Sequence, residues 1–193
     1  MLQIEKISPQ NLTRYATVPM RLDVQSVYAV VPIDDGLGGL VLKEKKLDKP
    51  YVKDYDADVG NAPTLWAGQF DLQHWGIFLG VVDGDPVAGM AIAYRTLGRD
   101  LCEGRDDLAV LWDMRVHPDY RKMGMGTQLF QQGVLWAREQ GCRQLKIETQ
   151  NINVPACRFY AKQGCHLGTI DVYAYSKTPQ VQPETMLLWY FDL

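Results

Sequence analysis

The sequence predicts an α/β (α+β) fold, with a mixed, mostly antiparallel sheet of about six to seven strands flanked by helices. Three observations predict it. Residues 75–82 and 87–94 are β-rich runs joined by Asp83-Gly84-Asp85-Pro86, the composition of a hairpin turn. Residues 110–116 run apolar into a glycine-spaced turn and then an amphipathic helix. Residues 144–150 alternate, with Leu145, Ile147 and Thr149 on one face and Lys146, Glu148 and Gln150 on the other.

The remaining elements follow in order. Leu2-Gln3-Ile4 alternates as a short strand, and Ser8-Pro9 has the chemistry of a helix start for a helix reaching about Met20. From residue 21 to 67 the periodicity is weak, although Asp34-Asp35-Gly36 and Gly38-Gly39 are turn material. After the hairpin, residues 97–107 form a polar connection into the strand at 110–116, a third antiparallel neighbour. The next helix carries Phe130, Val134 and Ala137 at helical spacing and closes at Gly141. Asn153 caps a further helix with Pro155 in its first turn, and that helix ends at Gly164. Residues 165–173 and 185–191 read as strands, split by a proline-bearing loop at 178–183.

Composition narrows the function. A chain of 193 residues suits one core, so a single domain is expected. The formal charge of −3, with 20 basic and 23 acidic residues mixed along the chain, leaves no footprint for nucleic acid. No apolar run approaches the roughly 18 residues that cross a bilayer, and the first residues lack a leader pattern, so no membrane partner and a cytoplasmic location are expected. The 4 cysteines form no C-x-x-C pair and read as free thiols, and the 3 histidines are scattered, so no metal is expected.

The chemistry centres on Arg121-Lys122-Met123-Gly124-Met125-Gly126 and Thr127. Glycines let a backbone approach a ligand, the first N–H groups of a helix are unsatisfied, and the helix dipole adds positive potential, so anionic oxygens fit there. The segment Pro50-Tyr51-Val52-Lys53-Asp54-Tyr55-Asp56-Ala57-Asp58 has two readings, a solvated loop or a substrate lip whose carboxylates and aromatic faces attract cations. Composition alone favours the loop.

The R-x-x-G-x-G run at 121–126, followed by N-x-x-A-x-x-F-Y-x-x-x-G at 153–164, resembles the GNAT superfamily of acetyl-CoA-dependent N-acetyltransferases. Within it, Glu148-Thr149-Gln150, Asn153, Ala156-Cys157-Arg158, Phe159-Tyr160 and the ending Leu188-Trp189-Tyr190-Phe191 are similar to streptothricin acetyltransferases. So is Pro50-Tyr51-Val52-Lys53-Asp54-Tyr55. One departure is Trp112-Asp113, where those enzymes tend to have paired acids. The resemblance covers roughly residues 75–193 as the acetyl-CoA-binding core and leaves 1–74 as the substrate side.

That resemblance implies a splayed pair of central strands and acetyl-CoA as co-substrate. It implies that the amides of residues 121–127 hold the CoA pyrophosphate and that Arg121 supplies charge. Met114, Arg115 and Val116 would offer backbone groups to the pantetheine arm, with Asn153 and Ala156 beside it. Tyr160 would protonate the leaving thiolate. An amine of pKa near 10 is mostly protonated at pH 7, with roughly one molecule in a thousand free, so a base is also needed. Glu148 stands twelve positions before Tyr160, an offset shown by a catalytic glutamate and tyrosine in some enzymes of the superfamily that acetylate N-terminal amines. Asp113 and a water chain are the alternatives. Tyr51, Asp54 and Tyr55 are the candidate substrate contacts. The expected acceptor is a small cationic amine, plausibly streptothricin-like. Acetylation of a protein N-terminus or lysine, and a CoA-binding sensor without turnover, are the rival readings. A homodimer is expected from base rates.

Overall fold

The computed structural model describes residues 2–96, 102–178, 181 and 183–193. In chain order the elements are β1 (Gln3–Lys6), α1 (Leu12–Tyr15), β2 (Arg21–Pro32), β3 (Leu40–Asp54), α2 (Trp66–Gln69), β4 (Gly76–Val82) and β5 (Asp85–Ala93). There follow β6 (Leu108–Val116), α3 (Met125–Glu139), β7 (Gln144–Gln150), α4 (Val154–Lys162), β8 (His166–Asp171) and β9 (Met186–Asp192). Seven strands form one sheet in the order β1-β4-β5-β6-β7-β9-β8, and β2 pairs with β3 in a separate ribbon. The pairs β1/β4, β4/β5, β5/β6 and β8/β9 are antiparallel, as a mostly antiparallel sheet requires. Two compact units share the chain, one formed by Met1–Arg21, Asp54–Lys146 and Asp192–Leu193, the other by Leu22–Lys53 and Ile147–Phe191.

In the first unit the hairpin closes as its composition predicts. Asp83 and Gly84 both take positive φ, 52° and 94°, and Val82 pairs with Asp85 across them. A two-residue turn of that hand matches the twist of the strands it joins, and Asp and Gly tolerate it best. Where β5 pairs with β6, the register slips between Ala91 and Ile92, so that Ala91 faces Asp113 and Ile92 faces Leu111. Trp112 is the extra residue of this bulge, and it packs on Phe70 at 5.0 Å and Trp75 at 5.9 Å between ring centroids. Tyr15, Trp66, Phe70 and Trp75 extend the same aromatic core. Beyond the bulge, Asp113 and Arg115 share the buried face of β6, and Met114 and Val116 are half-buried.

In the second unit the ribbon of β2 and β3 replaces the weak signal of residues 21–67. Burial alternates only over its first five residues, where Leu22 and Val24 are buried between exposed neighbours; from Ser26 onward both strands are at least partly exposed on both faces, and periodicity has little to register. The turn chemistry at 34–39 was legible, and a short 3-10 turn forms at Asp34–Gly36. The loop reading of 50–58 is corrected: β3 runs to Asp54, and 3-10 turns at Tyr55–Ala57 and Val59–Asn61 follow in the first unit. The first helix is also shorter than expected. A 3-10 turn at Pro9–Asn11 leads into α1, which ends at Tyr15 because Pro19 bars continuation and disfavours helical backbone at Val18. Of the connection expected at 97–107, residues 97–101 lie outside the described residues. So do 179, 180 and 182 of the loop expected at 178–183.

Candidate functional site

The glycine turn grows out of β6 in the first unit. His117 ends the strand, Pro118–Tyr120 make a 3-10 turn, and the Nδ1 of His117 accepts from the amide of Asp119 at 3.3 Å. Lys122 and Gly124 then adopt φ of 62° and 83°, and Gly124 stands at the N-cap of α3. A Cβ at Gly124 would meet nothing within 4 Å, so backbone conformation rather than crowding demands glycine there. No side chain caps α3 among the described residues, and no acid lies in its first turn. The amides of Met125, Gly126 and Thr127 therefore face the end of a helix whose dipole favours anions. Arg121 is fastened to the main chain, its Nε donating to the carbonyl of Val116 at 3.0 Å and its Nη2 to that of Arg21 at 2.5 Å.

A buried ionic knot sits on the same strand. Arg115, whose side chain is 3% exposed, donates to both oxygens of Asp113 at 2.9 and 2.7 Å, to the carbonyl of Val18 at 3.0 Å and to Asp56 at 3.0 Å. The hydroxyl of Tyr15 donates to Asp113 at 2.6 Å. Burial alone would lower the affinity of Arg115 for its proton, but its bonds to Asp113 and the charge there outweigh that, and the guanidinium stays charged. Burial first, and the neighbouring Asp113 charge second, push the Tyr15 phenol well above its usual range. Asp113 thus has three donors on its carboxylate, the geometry of a structural ion pair.

The acidic segment is spent in the same way. Asp54 takes the Nε of Arg21 at 2.9 Å and the amide of Asp56 at 3.1 Å, and Asp56 also accepts from the amide of Met20 at 2.7 Å. Asp58 caps the next turn through Gly60 and Asn61 at 3.1 and 2.8 Å. The amide of Tyr55 donates to the carbonyl of Met20 at 3.0 Å. These carboxylates hold turns together as well as lending negative potential.

In the second unit, Glu148 projects from the exposed face of β7. Its Oε1 accepts from the hydroxyl of Tyr175 at 2.6 Å, and Gln150 Nε2 donates to that phenol at 3.0 Å. Burial, then the charge of Glu148, raise the Tyr175 phenol above its usual range. Asn153 caps α4 as predicted, its side chain accepting from the amide of Ala156 at 3.1 Å. Tyr160 is buried on α4, edge-on to Phe159 at 5.2 Å. Tyr51 is 44% exposed on β3, and its phenol is raised by burial and then by the charge of Glu184, which pairs with Lys53 at 2.7 Å. Cys157 lies beneath this face against Thr149 at 3.4 Å, and burial raises its thiol, which opposes thiolate chemistry.

The predicted residues fall into two sets. Asp113, Met114, Arg115, Val116, Asp54, Tyr55 and the 121–127 turn belong to the first unit, and Tyr51, Glu148, Asn153, Ala156 and Tyr160 to the second. Sequence reasoning missed Tyr15 and Tyr175. Tyr15 was hidden in a four-residue helix of mixed polarity, and Tyr175 in an aperiodic connection with no motif to mark it. Among the described residues no group of three or more His, Cys, Asp or Glu side chains could hold a metal, and no helix is long and apolar enough to cross a membrane.

Residues 46–165 match the family model described as Acetyltransferase (GNAT) family. Streptothricin acetyltransferase A of Bacillus subtilis is 31% identical over 148 residues, 77% of each chain. Among solved structures, nourseothricin acetyltransferase superposes with a TM-score of 0.77 at 22% identity, over 99% of this chain and 98% of the other. A Bacillus anthracis protein solved in complex with acetyl coenzyme A gives 0.76 at 20% identity, over 100% of both chains. At those identities the two superpositions speak for the fold.

Proposed function

Because the chain belongs to the GNAT family of acetyltransferases, we propose that it moves an acetyl group from acetyl-CoA to a primary amine of a small cationic substrate, an antibiotic of the streptothricin class. The amine attacks directly while both substrates are bound. The likeness to the Bacillus subtilis streptothricin acetyltransferase carries the substrate class.

The residues present fit acetyl-CoA. An uncapped helix start after two positive-φ residues, with open space over Gly124, is a backbone cradle for a pyrophosphate and needs no basic surface. The amides of residues 121–127 hold the diphosphate, and Arg121, tied to two carbonyls, sets the shape of the turn and adds its charge. The main chain of Met114, Arg115 and Val116 and the start of α4 at Asn153 and Ala156 receive the arm. Acetyl-CoA supplies an acyl group already activated as a thioester.

Two proton movements remain for the protein. Glu148 takes a proton from the ammonium and so frees the nitrogen lone pair that attacks the thioester carbonyl, a role open to an exposed carboxylate already oriented by a phenol. Asp113 is the poorer base, because Arg115 and Tyr15 already occupy its oxygens. As the C–S bond breaks, Tyr160 gives its hydroxyl proton to the departing thiolate, and the second proton shed by the acylated nitrogen restores the phenol. Tyr51 presents an aromatic face to the cationic acceptor, Tyr55 a second, and Asp54 contributes negative potential while it holds Arg21.

Thiol release measured with DTNB tests the reading. Acetyl-CoA is offered with streptothricin, aminoglycosides, polyamines or peptides in turn. Release with streptothricin alone supports the proposal; release only with peptides replaces it by protein acetylation; CoA binding without release from any amine replaces it by a sensor.

A further inference from the structure

Resting on the reading of Glu148 as the base, we propose that Tyr175 is a positioning residue for that carboxylate, holding it in the orientation in which it takes a proton. The geometry fixes the direction of the chain of bonds. An ionised carboxylate only accepts and an amide nitrogen only donates, so the order runs Gln150 Nε2 to Tyr175 Oη at 3.0 Å, and Tyr175 O–H to Glu148 Oε1 at 2.6 Å. The phenol is thereby both donor and acceptor, with its hydrogen aimed at the carboxylate. A bond that short to an ionised acceptor is of the strong, charge-assisted kind.

The placement supports the role. Across residues 172–178 Tyr175 is the side chain that turns inward, and its neighbours are exposed. Local bonds hold the segment in shape, from the amide of Tyr173 to Asp171 at 2.8 Å and from the amide of Thr178 to the carbonyl of Tyr175 at 2.9 Å. Two nearby charged side chains have partners of their own. Glu184, which acts on the same phenol, is bound to Lys53 at 2.7 Å, and Lys146 on the same strand spends its ammonium on Glu103 at 2.7 Å. Gln150 Nε2 also reaches Glu148 Oε1, at 3.4 Å, so the phenol at 2.6 Å is the closer of two donors that orient the carboxylate.

The test compares kcat and KM for streptothricin and acetyl-CoA in the wild type, Tyr175→Phe, Glu148→Gln and a protein carrying a fluorinated tyrosine at 175, which keeps the hydroxyl. Tyr175→Phe should lower kcat about tenfold, with the KM for acetyl-CoA unchanged as the control for folding. The fluorinated tyrosine should keep a kcat near that of the wild type, because the donor to Glu148 is still present. A merely structural tyrosine would, when replaced by Phe, raise the KM for acetyl-CoA along with any loss of kcat. If Glu148→Gln is inactive and Tyr175→Phe keeps the wild-type kcat, the positioning role is overturned while the base survives. If Glu148→Gln is as active as the wild type, the base reading itself is overturned, and the role of Tyr175 with it.

Discussion

Replacing Arg115 with Met strands a carboxylate in the core. The side chain is 3% exposed and gives Asp113 two of its three donors, at 2.9 and 2.7 Å, besides holding Asp56 and the carbonyl of Val18 at 3.0 Å. Methionine restores much of the volume and none of the charge. Removing one partner of a buried ion pair costs about 3–5 kcal/mol, because the remaining ion keeps its desolvation penalty. In a chain of this length each kcal/mol lowers Tm by about 2–4 °C, so Arg115→Met should melt roughly 6–20 °C below the wild type. Adding Asp113→Asn removes the stranded charge and leaves an acceptor for the hydroxyl of Tyr15, which sits at 2.6 Å. The double variant should therefore be more stable than the single, by about 1–2 kcal/mol. Urea unfolding of the three proteins reads this directly. A single-variant loss under about 1 kcal/mol, or a double variant less stable than the single, would refute the view that this knot is a buried ion pair fastening β6 to the 54–61 turns.

Tyr160→Phe should reduce kcat at least about tenfold with acetyl-CoA affinity nearly intact, as loss of a proton donor acting only in the transition state requires; unchanged turnover removes Tyr160 from the mechanism. Gly124→Val forces a β-branched residue toward φ of 83° and places bulk over the phosphate cradle, so CoA titration by calorimetry should show no saturation. Normal saturation sinks the pyrophosphate assignment. Burial raises the Cys142 and Cys165 thiols to about 11 and about 12. The folded form then holds these protons more tightly than the unfolded chain, so their contribution to stability is full below about pH 9 and drains as the pH climbs toward those values. Urea midpoints should fall across that alkaline window, more shallowly in Cys165→Ala; a flat profile in the wild type contradicts it.

Legibility followed periodicity. Strand β7 and the helices α3 and α4 alternate or repeat because one face is buried, and β7 begins and ends at Gln144 and Gln150 as the alternation predicts; β4 and β5, buried on both faces, are legible instead as continuous β-rich runs on either side of a turn. Local chemistry was also visible: the Asp83-Gly84 turn and the Asn153 cap are fixed by residues within three positions of each other. The ribbon of β2 and β3 was hard to read because, beyond the short alternation at residues 21–25, its strands are at least partly exposed on both faces and carry no sustained alternation. The acids at 54 and 56 looked like part of a solvated run because Arg21, Met20 and Arg115, which they hold, lie tens of residues away in sequence. Tyr175 was invisible for the same reason, being 27 positions from the carboxylate that it holds.

The most direct measurement is mass spectrometry of a quenched reaction of the protein with acetyl-CoA and streptothricin. Direct transfer in a ternary complex predicts streptothricin carrying one added acetyl group, CoA formed in equal amount, and the protein's mass unchanged. Acetylated protein with unmodified antibiotic, or free acetate as the sole product, would contradict it.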